Sequence, residues 1–130
     1  MYCTKADLLN RFREYELIRL TDDDDDVLNQ AINDATAEID SYLIGRYVIP
    51  LENPTADIIH KACDLTLFYL HSNRGEIDRE SQIQRRYDAV IRFLEQVAKG
   101  MIQLNVTIPD TIKQGSGVLI ESNTQTSWDF

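Results

Sequence analysis

Between Val27 and Tyr47 the apolar residues return at steps of three and four: Leu28, Ile32, Ala35, Ile39, Tyr42 or Leu43, and Tyr47. Residues three and four apart share one face of a helix, whereas a half-buried strand would alternate. The spacing therefore predicts a long amphipathic helix with a single buried stripe. Gly45 weakens its last turn, and Pro50 and Pro54 force a loop over residues 48–54. A helix with one apolar stripe is stable only when that stripe packs on other elements, so the rest of the chain must supply partners.

It supplies two further long helices. Thr55 is placed as an N-cap after Pro54, and a helix from about Thr55 to His71 carries Ile58, Ile59, Ala62, Cys63, Leu65, Leu67, Phe68 and Leu70 around nearly its whole circumference. Such a helix belongs at the centre, covered by neighbours or by another subunit. The next runs from about Asp78 to Lys99 on a stripe of Ile83, Tyr87, Val90, Leu94 and Val97, with Gly100 positioned to end it. Upstream, Thr4 and Asp7 form a variant capping box for a short helix over about Lys5 to Arg13, and a second short segment spans Glu14 to Leu20. The expected fold is all-α: a helical bundle of three long helices plus a short N-terminal helical pair in residues 1–100. Residues 101–130, with Pro109, two glycines in GSG and a polar finish, form an extended or flexible C-terminal tail. Within it the apolar stretch Gly117 to Ile120 is suited to pair as a strand with another copy.

Composition narrows the partners. A chain of 130 residues with 43% apolar and 27% charged residues makes one modest core. A net charge of -9 argues against tight, sequence-reading nucleic-acid binding, because a phosphate-binding surface needs surplus Lys and Arg. The same charge lets a polyanion pass without sticking. No apolar run approaches the roughly 18 residues of a membrane span, and no signal-type segment follows Met1, so a cytoplasm-like setting without membrane contact is expected. Cys3 and Cys63 lack any CxxC or disulfide-framework spacing, which fits reducing surroundings.

The densest candidate site is the run Asp22, Asp23, Asp24, Asp25 and Asp26. Aligned on the calcium-loop pattern from Asp22, the sixth position holds Val27 instead of Gly and the twelfth holds Asn33 instead of Glu, so that template fails. Aspartates are favoured N-caps and interact well with the positive end of a helix dipole. The run therefore marks a solvated helix entry, or else an acidic patch facing a lumen or another subunit. His60 and His71 lie eleven residues apart on one helix, about 16 Å along its axis, too far to share a metal. The serines lack a nucleophile-elbow context, and no catalytic, cofactor-binding or metal-binding residue is expected.

Two blocks carry a resemblance. In MYCTKADLLNRFREYELIRLTD the positions are Met1, Tyr2, Thr4, Asp7, Leu8, Arg11, Phe12, Glu16, Leu17, Leu20, Thr21 and Asp22; in IDSYLIGRYVIPL they are Ile39, Asp40, Tyr42, Leu43, Arg46, Tyr47, Pro50 and Leu51. Weaker agreement continues through ACDL and RRYDAVIRFLEQVAKG, so that residues 1–100 are covered. The chain resembles a family of small virion proteins of Mu-like bacteriophages and prophages. Members of that family often place glycines among the acidic residues after Leu-Thr-Asp, and this chain has none.

The resemblance implies a non-enzymatic head-tail connector: a subunit of a ring below the portal that joins capsid to tail and lets DNA pass. Its implied partners are itself as a ring homo-oligomer, the portal protein and tail-side neck proteins, at the virion neck after assembly in the bacterial host cytoplasm. In such a ring the aspartates would line the lumen or meet a neighbour's Arg11, Arg13 or Arg86, and Trp128 and Phe130 would anchor the tail on a partner. The alternative from a different class is a small cytoplasmic helical adaptor or regulator that binds a single protein partner.

Overall fold

The computed structural model describes residues 1–76 and 81–104. Among them it is all helical: α1 (Lys5–Arg11), α2 (Glu14–Thr21), α3 (Asp25–Leu43), α4 (Ala56–Asn73) and α5 (Gln82–Ala98). Helix α4 lies at the centre, packed against each of the other four helices. This is the place its all-round apolar surface demanded: Ile58, Ala62, Cys63, Leu65, Leu67 and Leu70 are all buried. The stripe of α3 buries Leu28, Ile32, Ala35, Ile39 and Leu43, and that of α5 buries Val90, Leu94 and Val97.

Contacts at the helix seams fix the register. Tyr69 of α4 donates its hydroxyl to Glu38 of α3 at 2.6 Å, while Phe68 stacks on Tyr87 of α5 at 3.9 Å between ring centroids. Thr66, buried in the middle of α4, gives its hydroxyl to the Ala62 carbonyl of its own helix at 2.8 Å, so that buried hydroxyl has a partner. The short N-terminal pair adds Leu8, Leu17 and Leu20 to the core.

Three boundaries differ from the sequence pattern, each for a local reason. Helix α3 begins at Asp25, because Asp24 supplies its cap, so Asp25 and Asp26 enter the helix while Asp22 to Asp24 precede it. It ends at Leu43, four residues before Tyr47. There the Arg46 and Tyr47 amides both donate to the Leu43 carbonyl, closing a turn that carries Tyr47 off the helix while leaving it against the core. Helix α5 starts at Gln82, capped by Ser81, whose hydroxyl accepts from the Gln84 amide at 3.1 Å. It closes in a Schellman motif: Met101 N–H reaches the Gln96 carbonyl and Gly100 sits at φ 78°. The expected strand at Gly117 to Ile120 lies outside the described residues.

Candidate interaction surface

The five aspartates divide the work of one helix-to-helix turn. Asp22 ends α2 at φ 54° and Asp23 follows at φ 58°, so both occupy the left-handed region. Their amides close on the Ile18 carbonyl. Asp and Asn tolerate that region better than other non-glycine residues, although glycine adopts it without strain. The turn here is therefore one that glycine would adopt without strain. Asp24 then caps α3, accepting the Asp26 amide at 2.9 Å, and Asp25 and Asp26 occupy the first turn.

Two of the five also pair within the chain. Asp22 faces Arg74 at 3.4 Å and Asp25 faces Lys5 at 3.3 Å, with the two carboxylates 82% and 72% exposed. Such exposed pairs add little stability. Asp23, Asp24 and Asp26 form no ion pair among the described residues and are exposed, which leaves a compact acidic knob at the α2–α3 turn. Behind Asp22 lies a denser network. Glu76 receives two hydrogen bonds from Arg19, at 3.0 and 3.1 Å, and one from Arg74; His71 Nδ1 lies 3.6 Å away. Arg19 in turn holds Glu16 at 2.6 Å. Hydrogen bonding from Arg19 keeps the Glu76 carboxyl below its ordinary range. The turn is therefore tied to the C-terminal end of α4.

The basic candidates separate. Arg11 is used inside the chain: it donates to the His60 carbonyl at 2.9 Å and pairs with Asp64 at 3.6 Å, where Asp64 Oδ1 is buried with no hydrogen bond of its own. Arg13 is exposed at the start of α2, and Arg86 is half-buried on α5. Neither makes an ion pair among the described residues. The fold does not bring Arg86 to the aspartates of the same chain. Trp128 and Phe130 lie outside the described residues.

Residues of the two resembling blocks prove to be architectural. The Tyr2 hydroxyl donates to Asp40 at 2.5 Å and accepts the Leu51 amide at 2.8 Å, so the first block is bonded to the second. Thr4 and Asp7 make the full capping box of α1. The Tyr47 hydroxyl accepts the Leu104 amide at 2.9 Å, and the Arg46 guanidinium lies beside Gly100, so close that a Cβ there would meet it at 2.9 Å. Apart from that local capping box, these contacts link residues far apart in sequence, and helical periodicity carries no signal of them.

No group of three or more His, Cys, Asp or Glu side chains among the described residues is arranged to hold a metal ion. No helix among them is long and apolar enough to cross a membrane. What the geometry defines is an all-helical module with its conspicuous polar residues committed to caps, turns and seams, and with one acidic apex exposed. The family model described as "Bacteriophage Mu, Gp36" matches residues 2–121, and the chain belongs to that family. It is 37% identical over 100 residues to the Mu-like prophage FluMu protein gp36 of Haemophilus influenzae, a match covering 76% of this chain and 68% of that protein. It is 36% identical over 106 residues to gene product J of Escherichia phage Mu, covering 76% and 72% of the two chains.

Proposed function

We propose that this chain is a structural subunit of the phage particle, a head-tail connector that assembles as a ring below the portal and lets DNA pass into the tail. The observation that carries the reading is the membership of a bacteriophage Mu family by a helical module in which most of the singled-out polar residues hold the fold. Acidity supports it further. A net charge of -9 and the exposed carboxylates of the α2–α3 turn suit a wall past which phosphate slides without adhering. A subunit of this kind needs side surfaces for its copies and no catalytic group.

The experiment is a comparison of particles made with and without the gene. Filled heads that fail to acquire tails, together with density of this fold at the neck of complete particles, are the expected outcome. Normal tail joining without the protein would overturn the reading.

A further inference from the structure

Cys3 and Cys63 stand sixty residues apart in sequence, yet their sulfurs lie 3.3 Å apart in the core, both fully buried. We propose that this pair is a site of oxidative modification, which a low-molecular-weight disulfide such as oxidised glutathione converts to an intrachain disulfide tying the segment before α1 to α4.

The placement of Cys3 comes from its two neighbours. On one side Tyr2 is fixed by its hydroxyl bonds to Asp40 and Leu51 and by its amide to Thr36 Oγ1 at 3.2 Å. On the other side Thr4 is locked into the α1 capping box. Cys3 therefore points inward at a set depth, and Cys63 meets it from the middle of α4. The surroundings favour exchange. The two sulfurs share a hydrogen bond in which either can donate; that bond first, and the facing Arg11 guanidinium, lower the Cys63 pKa, whereas burial and Asp7 oppose ionisation. A thiolate that attacks disulfides is thus easier to form at Cys63 than at a thiol buried among apolar groups alone.

In this proposal the stretch before α1 lifts to admit the reagent to the two sulfurs. One protein thiolate attacks a sulfur of oxidised glutathione; a mixed disulfide forms, the reagent's sulfur–sulfur bond breaks and one glutathione thiolate leaves. When the stretch returns, the second protein thiolate attacks the protein sulfur of the mixed disulfide and expels the other glutathione thiolate. The two protein thiols lose two electrons and two protons, and one oxidised glutathione becomes two reduced ones. Before oxidation the stretch is held by hydrogen bonds and burial; afterwards it is held by a covalent bond across the core. The inference stands on this geometry and is independent of the connector reading.

The test equilibrates the full folded chain with graded mixtures of oxidised and reduced glutathione. Samples are acid-quenched, alkylated in denaturant and weighed, and the same is done with the chain in urea. The expected product is a monomer two hydrogens lighter than the reduced chain, free of glutathione and with no alkylatable thiol. The folded chain should favour the disulfide over the urea-unfolded chain by at least about tenfold in equilibrium constant, because folding holds the sulfurs together. Its Tm should exceed that of the reduced chain. Cys63→Ser should stop at a single glutathione adduct on Cys3 with no Tm rise. The folded-against-urea comparison decides the matter without any variant. Thiols that stay alkylatable at every ratio, covalent dimers or double adducts as the main product, or equal constants in folded and unfolded chains would each overturn the proposal.

Discussion

The Tyr2 hydroxyl stands between the Asp40 carboxylate and the Leu51 amide, donating to one and accepting from the other. With 3% of its surface exposed, Tyr2 makes both bonds where water cannot replace them easily. Tyr2→Phe keeps the ring and leaves the Leu51 amide without its acceptor. The variant should lose about 1–3 kcal/mol of stability, the usual cost of a part-buried group left unpaired, measured as a shift in the urea midpoint at unchanged slope. An unchanged midpoint would show that water takes over both bonds.

The same phenol makes stability fall in alkali. Burial first, and the bond to Asp40 second, push its pKa up from 10.0 to about 12. Because the folded value exceeds the unfolded one, the folded state holds the proton more tightly. The contribution is complete below about pH 10 and is lost as pH climbs towards 12. Titrating the urea midpoint over this range should show a steeper decline for the native chain than for Tyr2→Phe. Glu76 acts in the opposite direction: Arg19 holds its pKa below 4.5, so its contribution is present above that value and fades as pH drops below it.

Arg11 discriminates between two roles. As a purely intersubunit residue it would leave an isolated chain unaffected when removed. Here it offsets Asp64, whose buried Oδ1 has no hydrogen bond, and it caps the exposed carbonyl of His60. Arg11→Ala should therefore destabilise the chain by about 1–3 kcal/mol, and the double variant with Asp64→Asn should recover part of that loss. A double-mutant cycle in urea reads the coupling directly.

Two glycines should answer alanine differently. At Gly100, φ is 78° and a Cβ would press on the Arg46 guanidinium, which ends a flexible side chain and can swing aside. The backbone strain remains, so Gly100→Ala should cost about 1–2 kcal/mol. Gly45 has open space around its Cα and no positive φ. Gly45→Ala should be neutral or stabilise by up to about 1 kcal/mol, through loss of freedom in the unfolded chain. Thermal or urea unfolding of the two variants in parallel tests the contrast.

Helical periodicity made the bundle legible, because the apolar residues of each long segment dictate which face is buried; α3, α4 and α5 bury most of the residues that their spacing indicates, while Ile59, Phe68, Ile83 and Tyr87 are half-buried. It failed where a residue serves the core without belonging to a helix. Tyr47 keeps the helical spacing but packs from a turn, its hydroxyl engaged by Leu104. It also could not pair Cys3 with Cys63 or Tyr2 with Asp40, since such contacts depend on how α1, α3 and α4 cross and leave no trace in local pattern. The aspartates were legible as a helix entry. Their division into left-handed turn, cap and first turn required the backbone angles.

That division predicts unequal effects along the run. Asp24→Ala removes the α3 cap and should cost about 1 kcal/mol. Asp23→Gly relieves a non-glycine residue at φ 58° and should raise stability by up to about 1 kcal/mol, the strain removed being partly offset by the greater freedom of glycine when unfolded. Replacing all five with Asn keeps both the capping oxygen and the tolerance for positive φ, so the loss should come mainly from the interaction of Asp25 and Asp26 with the helix dipole, about 0.3–1 kcal/mol each, with little added by the exposed Asp22–Arg74 and Asp25–Lys5 pairs. The Asn variant should thus fold with native helical content by circular dichroism. If the acidic apex acts on DNA or on a neighbouring copy, its defect will appear in tail joining or DNA delivery by particles that carry this folded variant. Normal infectivity of such particles would restrict the aspartates to building the turn.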